Sequence, residues 1–244
     1  MGARNGANDE RTGFVRDIVQ FFSLTGFIYG PLDERLQLKD AVREQLDKPA
    51  PKYTFWIDAN FFACFGGITF TLFMIQVVTG ILLMMYYRPT TADAYSSVVF
   101  ITNEVPFGWL VRGVHHWAAS LMTATVIIHL FKVFVSGAYK PPRDFNWVTG
   151  VLLFLMTLVF GFSGYLLPWS QRSYWATTIG TESAAAVPWI GESLKFFARG
   201  GTEVGQLTLT RFFALHVCIL PFVTGLFLLL HFAMIRRQGA APTL

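Results

Sequence analysis

Cysteine and charge are both scarce in this 244-residue chain. Two cysteines, Cys64 and Cys218, cannot build a disulfide framework and fall short of an iron–sulfur ligand set. Only 14% of the residues are charged and 53% are hydrophobic, which excludes an ordinary soluble domain and favours a membrane protein. Residues 1–13 are polar and have no apolar core, so they do not form a secretory signal. No basic patch indicates nucleic-acid binding.

Four apolar runs are each long enough to cross the ~30 Å hydrocarbon core of a bilayer. They predict an all-α integral membrane fold, a four-helix bundle with spans at about 62–87, 110–135, 148–167 and 212–235. Thirteen of the nineteen Lys and Arg residues lie before the first span, between the second and third, or after the fourth. The positive-inside rule therefore predicts that both termini are cytoplasmic.

The chain ahead of the first span divides into two parts. Residues 1–31 form an N-terminal extension in which Val15, Ile18, Val19 and Phe22 recur at helical spacing. This pattern fits either an amphipathic helix on the inner membrane surface or an arm that docks on a partner subunit. Residues 32–57 are predicted to form a second amphipathic helix and a linker. Residues 58–240 contain the transmembrane domain, and 241–244 are a tail.

Four of the five histidines fall in two matched pairs inside apolar runs. His115 and His129 are 14 residues apart in the second span, and His216 and His231 are 15 apart in the fourth. An ionisable side chain inside the bilayer is costly and indicates a functional site. At about 100° and 1.5 Å per residue, each pair shares a broad helix face and is separated by about 21 Å along the axis.

The second and fourth spans run in the same direction in an up-down-up-down bundle. His115 is therefore expected to face His216 near the outer side, and His129 to face His231 near the inner side. Imidazoles on both sides of a haem iron are one ligand set that proteins supply. Hydrogen bonding between helices is the alternative for any single histidine. His116 points about 100° away from His115 and is interpreted as an interfacial or packing residue.

Glycines repeat the histidine period in the other two spans. Gly66 and Gly80 are 14 residues apart in the first span, and Gly150 and Gly164 are 14 apart in the third. Glycine permits close approach, so these positions are expected to make room for two bulky haems. Each pair alone is weak, because glycine is common in membrane helices.

A cation lies on the membrane-edge side of each histidine. We expect Arg112 and Lys132 to contact haem propionates, and Arg211 is a further candidate for this role. Arg236 is equally suited to bind a quinone or its protonating water. Ordinary snorkelling of Lys and Arg at helix ends is the alternative for all four.

The chain resembles a known family. The runs CFGGITFTLFMIQVVTG, YYRPT, FGWLVRGVHHWAAS, HLFKVF, WVTGV, GYLLPWSQRSYWA, VGQLTLTRFFALH and HFAMIRRQG, in this order, resemble the cytochrome b6 family, the four-helix haem subunits of b6f-type quinol oxidoreductases. The resemblance covers about residues 32–240. It implies that His115 and His216 ligate an outer b haem, and that His129 and His231 ligate an inner one.

The resemblance also implies what spacing does not show. Cys64, in NFFACFGG, matches the cysteine that holds an extra haem c of the c_i type through one thioether. No CxxCH motif is present, so the usual signal for attached haem is missing. A small buried hydrophobe is the alternative for Cys64 and the preferred interpretation of Cys218.

Three departures from the family pattern matter. Lys132 stands where arginine is usual, and a lysine offers a point charge instead of a bidentate contact. Ser170 stands where aspartate is common. The early helix, 32–48, carries an insertion of a few residues relative to the family, so the inner proton-transfer acid is not assigned, and Glu44, Asp47 and Asp58 are weak candidates.

The family mechanism implies a proton-motive quinone cycle. Menaquinol or plastoquinol would be oxidised outside and a quinone reduced inside, with Tyr174 and Trp175 near the outer site or acting as interfacial anchors. The chain shows no PEWY motif, so it is expected to need a subunit IV-like chain carrying PEWY, together with a Rieske iron–sulfur protein and a cytochrome c-type subunit, in a dimeric complex. The N-terminal extension favours a bacterial inner membrane over a thylakoid.

Two other classes of protein remain open. A dihaem b-type anchor of a dehydrogenase or hydrogenase also has four helices, but is not expected to combine QVVTG, GYLLPW and the glycine periods. A non-redox membrane protein, such as a transporter subunit, would use the histidines for titration or hydrogen bonding and would be colourless.

Overall fold

A computed structural model of the chain describes residues 64–239, all within the unit Tyr53–Leu244. The extension 1–31, the amphipathic segment 32–57, and the tail 241–244 lie outside the described residues. Between 64 and 239 the chain is built from helices and turns and has no strand. The helices are α1 Phe65–Met84, α2 Ala94–Asn103, α3 Gly108–Val135, α4 Asp144–Leu166, α5 Gln171–Ala185, α6 Gly191–Arg199, α7 Gln206–Ala214 and α8 Leu220–Gln238.

Four helices are long and apolar enough to cross a membrane: α1, α3, α4, and a continuous span Gln206–Gln238. The last span joins α7 and α8 through a π-helical turn, Leu215–Ile219. The predicted all-α membrane fold is therefore confirmed for the described residues. Span boundaries differ by a few residues, and the fourth starts six residues earlier than expected, at Gln206 instead of about 212.

Neighbouring spans are antiparallel, and their ends define two ends of the bundle. The Cys64 end carries the start of α1 and α4 and the end of α3 and α8, and the Tyr87 end carries the opposite termini. The Tyr87 hydroxyl donates a 2.6 Å hydrogen bond to the Leu167 carbonyl, which joins the ends of α1 and α4. At the other end, Arg143 Nη2 donates to the Gln238 carbonyl at 3.3 Å.

Polar and apolar residues are distributed as expected for a protein whose solvent is lipid. The buried side chains include many hydroxyls, among them Thr79, Thr149, Thr157, Ser163 and Thr224. The exposed surface of the spans carries large apolar side chains such as Val78, Trp117, Phe131 and Leu229. Since lipid tails are as apolar as leucine, helix contacts in a bilayer depend on small residues and hydrogen bonds between helices.

The connections at the Tyr87 end contain three helices that the sequence did not predict, namely α2, α5 and α6. Ser170 is the N-cap of α5 and accepts a hydrogen bond from the Ser173 backbone N–H at 3.3 Å. Aspartate and serine are both good N-caps, so this departure from the family pattern preserves the start of the helix. The small apolar core of the described residues also lies here, around Ala94, Leu166, Leu209 and Phe212.

Helices α5 and α6 are held together by one buried arginine. The Arg199 guanidinium donates to Thr181 Oγ1 at 2.8 Å, to the Thr178 carbonyl at 3.0 Å and to Glu182 Oε2 at 2.8 Å. Lys195 lies 3.2 Å from the same carboxylate. Hydrogen bonds from Lys195 and Arg199 lower the pKa of Glu182, so the carboxylate stays charged and the group remains connected at neutral pH.

Candidate metal centres

The structure brings His115 and His216 together near the Tyr87 end. His115 lies in α3, His216 lies in the π-helical turn, and their ring centroids are 6.4 Å apart with the planes at 69°. Two imidazoles that bind one metal from opposite sides, each with its nitrogen about 2 Å from the ion, have ring centres about 6 Å apart. The observed separation therefore fits two axial ligands of a single haem iron.

His129 and His231 lie near the Cys64 end, in the last turns of α3 and α8. His129 packs against α1 at Gly66, and His231 packs against α4 at Gly150. Within residues 64–239, no group of three or more His, Cys, Asp or Glu side chains is arranged to hold an ion. Pairs of imidazoles are thus the ligand sets that the described chain offers.

Each of the four glycines chosen from the sequence lies against one of the four imidazoles. A Cβ built on Gly66 would lie 2.9 Å from His129 Cε1, and one on Gly80 would lie 3.3 Å from His115 Cε1. The corresponding distances are 3.4 Å from Gly150 to His231 and 2.7 Å from Gly164 to His216. The glycines therefore let the imidazoles sit close to the neighbouring backbone, and their matched period reflects this contact.

Alanine at Gly164 should displace the His216 ring, because its Cβ would lie 2.7 Å from Cε1. We expect haem affinity at this pair to fall about 10- to 100-fold, the usual cost of disturbing a group that orients a ligand. Gly161→Ala is the matched control in the same helix, since a Cβ there meets nothing within 4 Å. Haem content and reduced-minus-oxidised spectra measure the effect, and equal haem loss in both variants would contradict it.

In three of the four histidines, a hydroxyl of a neighbouring helix lies within hydrogen-bond distance of the ring nitrogen Nδ1. Thr79 Oγ1 lies 2.8 Å from His115 Nδ1, Ser163 Oγ 3.0 Å from His216 Nδ1, and Thr149 Oγ1 3.2 Å from His231 Nδ1. All three hydroxyls belong to the residue that directly precedes one of the paired glycines. The sequence pattern did not predict these hydroxyls, although their place beside the paired glycines was a usable signal.

The hydrogen bonds of these hydroxyls indicate which nitrogen is protonated in the three imidazoles that they contact. The Thr79, Ser163 and Thr149 hydroxyls each donate their proton to a carbonyl of their own helix, those of Ile75, Phe160 and Asn146. The oxygen is then left to accept, so Nδ1 carries the ring proton and donates it. The lone pair consequently lies on Nε2, the nitrogen that a metal would bind.

The π-helical turn explains how unequal spacings give equivalent sites. Fifteen residues of regular α-helix would rotate His231 by about 60° from His216, whereas fourteen give about −40°. A π-helical turn accommodates one extra residue in a helix. In the structure both histidines face α4, at positions 14 residues apart, so the turn compensates for the extra residue between them.

The predicted cations occupy different environments. Arg112 is exposed in the first turns of α3, and Lys132 is half-buried in its last turn. Arg211 contacts the Phe197 carbonyl and lies over the Phe197 ring, 5.5 Å from its centroid. Arg236 is half-buried in the last turn of α8. The contact observed for Arg211 is thus with α6, and propionate contacts remain predictions.

The remaining candidates lie at opposite ends of the bundle. Cys64 is the half-buried N-cap of α1, two residues before the glycine that touches His129. Tyr174 and the exposed Trp175 lie in the second turn of α5, and Tyr174 packs edge-on against Trp169 at 5.8 Å. His116 is exposed beside Trp117, as expected for an interfacial residue.

Fold and site together define a class, that of integral membrane proteins that carry paired imidazoles inside a four-helix bundle. The chain matches the family model described as cytochrome b/b6/petB over residues 52–239, and it belongs to this family of haem b proteins. It is 46% identical to cytochrome b6 of Auxenochlorella protothecoides over 217 residues, which are 89% of this chain and 99% of that protein. Cytochrome b6 of Synechococcus elongatus is 45% identical over the same shares.

A solved structure titled hyperthermophilic respiratory Complex III is also similar. Its chain superposes with a TM-score of 0.70 at 34% identity, covering 87% of this chain and 55% of that one. The present chain therefore spans about half the length of that structural relative. As a member of this family it is a subunit of a multisubunit b6f- or complex III-type oxidoreductase, and it serves electron transfer in the membrane.

Proposed function

We propose that the chain binds two b haems, one between His115 and His216 and one between His129 and His231, and conducts electrons between them across the membrane. The observation that carries this proposal is the 6.4 Å separation of the His115 and His216 rings. The hydroxyl-bonded Nδ1 atoms support it, because they leave Nε2 available for iron. The glycine contacts extend the same arrangement to the second pair.

When bound, haem supplies one-electron oxidation and reduction, and the protein supplies ligation, orientation and electrostatics. His115, His216, His129 and His231 would hold the two irons. The adjoining helices have no side chain where they meet the imidazoles, because those positions are Gly66, Gly80, Gly150 and Gly164. Arg112, Lys132 and Arg211 are proposed to meet propionates at the two membrane edges, as cations at the ends of the spans.

The Cys64 end is proposed to be cytoplasmic. Lys132, Lys140, Arg143, Arg236 and Arg237 all lie at this end of the described bundle. The positive-inside rule places such an end in the cytoplasm. The pair His115–His216 is then the outer site and His129–His231 the inner site. A bacterial inner membrane is proposed over a thylakoid on the strength of the N-terminal extension, which lies outside the described residues.

A covalently attached haem c at Cys64 is proposed beside the inner pair. Cys64 starts α1 and lies two residues from Gly66, whose backbone lies against His129. A group bonded to its sulfur would thus lie at the level of the inner histidines. The family resemblance around NFFACFGG supports this assignment.

The proposed reaction is a proton-motive quinone cycle, with menaquinol or plastoquinol oxidised outside and quinone reduced inside. Helices α5 and α6 flank the Tyr87 end, where Tyr174 and Trp175 are candidates for the outer quinone site. Arg236, at the Cys64 end, is the candidate for the inner one. The proposed partners are a subunit IV-like chain with PEWY, a Rieske protein and a cytochrome c-type subunit, assembled as a dimer.

The test is reduction of the purified complex by a quinol, followed by optical spectroscopy in the visible range. We expect two b-type components with distinct midpoint potentials that a short-chain quinol reduces. A colourless preparation, or one with a single b-type component, would contradict the proposal. Loss of reduction in the presence of a redox-inert quinone analogue would show that the electrons enter at a quinone site.

A further inference from the structure

The hydrogen bonds on the four imidazoles are unequal. Thr79, Ser163 and Thr149 each accept from a histidine Nδ1, as described above. His129 Nδ1 is buried and has no hydrogen-bond partner among the described residues. The outer pair is therefore bonded on both imidazoles, and the inner pair on one.

Phe65 occupies the position from which the fourth hydroxyl is missing. Thr79 precedes Gly80, Thr149 precedes Gly150, and Ser163 precedes Gly164. The residue before Gly66 is Phe65, which lies one 14-residue period before Thr79 on the same helix. Because Gly66 contacts His129 as the other glycines contact their histidines, a hydroxyl at position 65 would be placed to reach His129 Nδ1.

An acceptor on Nδ1–H makes the imidazole a more basic ligand. A more basic ligand stabilises the more positive, oxidised iron over the reduced iron and so lowers the midpoint potential. Hydrogen bonding around the axial ligands is one of the ways in which proteins tune haem. The imidazole without an acceptor donates less charge, and the iron that it binds is easier to reduce.

We propose that Thr79, Ser163 and Thr149 are positioning residues that lower the midpoint potential of the haem they adjoin, and that Phe65 keeps the inner haem at the higher potential by leaving His129 Nδ1 unbonded. This inference rests on the proposed dihaem function. With both haems bound, the transfer would oxidise the outer iron and reduce the inner iron by one electron, and no bond would form or break. Two hydroxyls at the outer pair against one at the inner pair thus make inward electron transfer favourable.

The test is an equilibrium redox titration of the assembled complex with Phe65→Thr and Phe65→Val. Both variants lose the phenyl ring and have the same shape, so only the hydroxyl differs. We expect the inner b haem of Phe65→Thr to be harder to reduce than that of Phe65→Val by about fivefold in equilibrium constant, the effect of one hydrogen bond. That ratio is roughly 40 mV for a one-electron couple at 59 mV per tenfold.

Three further variants, at Thr149 and Thr79, keep the test decisive if the Phe65 variants fail to assemble. Thr149→Val should raise the inner midpoint potential by a similar amount, and Thr149→Ser should restore it, because serine keeps the hydroxyl. Thr79→Val should raise only the outer midpoint and narrow the difference between the haems. The g-values of the oxidised haems should differ between Phe65→Thr and Phe65→Val, and between the wild-type complex and Thr149→Val, because threonine and valine are equal in size and a purely steric effect would not separate them.

The outcomes separate this inference from the proposed function. If both variants show two b-type components and the inner midpoint potential of Thr149→Val equals that of Thr149→Ser, the role of the hydroxyls is overturned. The dihaem function would still stand. A shift in the opposite direction would also overturn it. An unmodified complex with one b-type component or none would overturn the proposed function itself.

Discussion

Replacing His231 by alanine should abolish the spectroscopic signal of the inner b haem and leave that of the outer one. Alanine has no nitrogen to bind iron, and His231 is one of the two ligands proposed for that site. Its neighbour on α4, Thr149, would lose its 3.2 Å contact with His231 Nδ1 as well. The expected result is the loss of one of two b-type components in a redox titration, with the same outcome for His129→Ala.

His116→Ala is the matched control for this prediction. His116 is exposed and adjacent to a proposed ligand in the same helix, so its loss should change neither component. Retention of both components at full amplitude in His129→Ala or His231→Ala would show that the pairing is wrong. Loss of both components in these variants, with the helical content and complex intact, would mean that the two sites are not independent.

Replacing Cys64 by serine should remove all haem that survives denaturation. The proposed b haems would be held by imidazole nitrogens and would dissociate on a denaturing gel, whereas a thioether-bonded haem would stay with the chain. A gel stained for haem peroxidase activity should therefore show a band at the mass of the wild-type subunit and none for Cys64→Ser. The change is all or none, since no other bond is proposed to hold that haem.

Cys218→Ser provides the control, because Cys218 is the other cysteine of the chain and lies exposed in the π-helical turn. Its variant should stain like the wild-type subunit. Absence of stain in a wild-type preparation that shows both b-type spectra would leave a two-haem protein and make Cys64 a packing residue. Stain that persists in Cys64→Ser would place the attachment elsewhere.

The sequence predicted the spans well because each is long and apolar. The predicted start of the third span, about 148, is four residues later than the observed Asp144, since a helix begins before its apolar part. An acidic residue in the first turn interacts favourably with the helix dipole and was the available signal. The extension of the fourth span to Gln206 was missed because QLTLTR alternates polar and apolar residues.

The short helices at the Tyr87 end were missed because none of them is a long apolar run, and the amphipathic pattern of α6 does not reveal which of its faces is buried. In α6 the apolar residues Leu194 and Phe197 are exposed while the charged Arg199 is buried. This is the reverse of the pattern expected for a helix that packs on an apolar core. The structure shows why, since Arg199 finds partners on α5 that are 18 and 21 residues away in sequence, in addition to the nearby Thr202 carbonyl.

At the site, sequence spacing predicted the pairing of His115 with His216 but not the hydroxyls behind the rings. Threonine and serine are common in membrane helices, and nothing in periodicity distinguishes one that bonds a histidine. The contact between Gln76 Nε2 and the His115 carbonyl, 2.7 Å long, was missed for the same reason. Such side chains are identified only when the two helices are seen together.

The π-helical turn at Leu215–Ile219 has a consequence for how related chains should be compared. Aligning the two histidine-bearing spans by counting residues places the later histidine one position out of phase. Aligning them by the helix face on which each imidazole lies makes the two spans equivalent. The additional residue is then confined to the single π-helical turn. The one additional residue between His216 and His231 is thus accommodated in this architecture because it falls at a turn where the backbone widens.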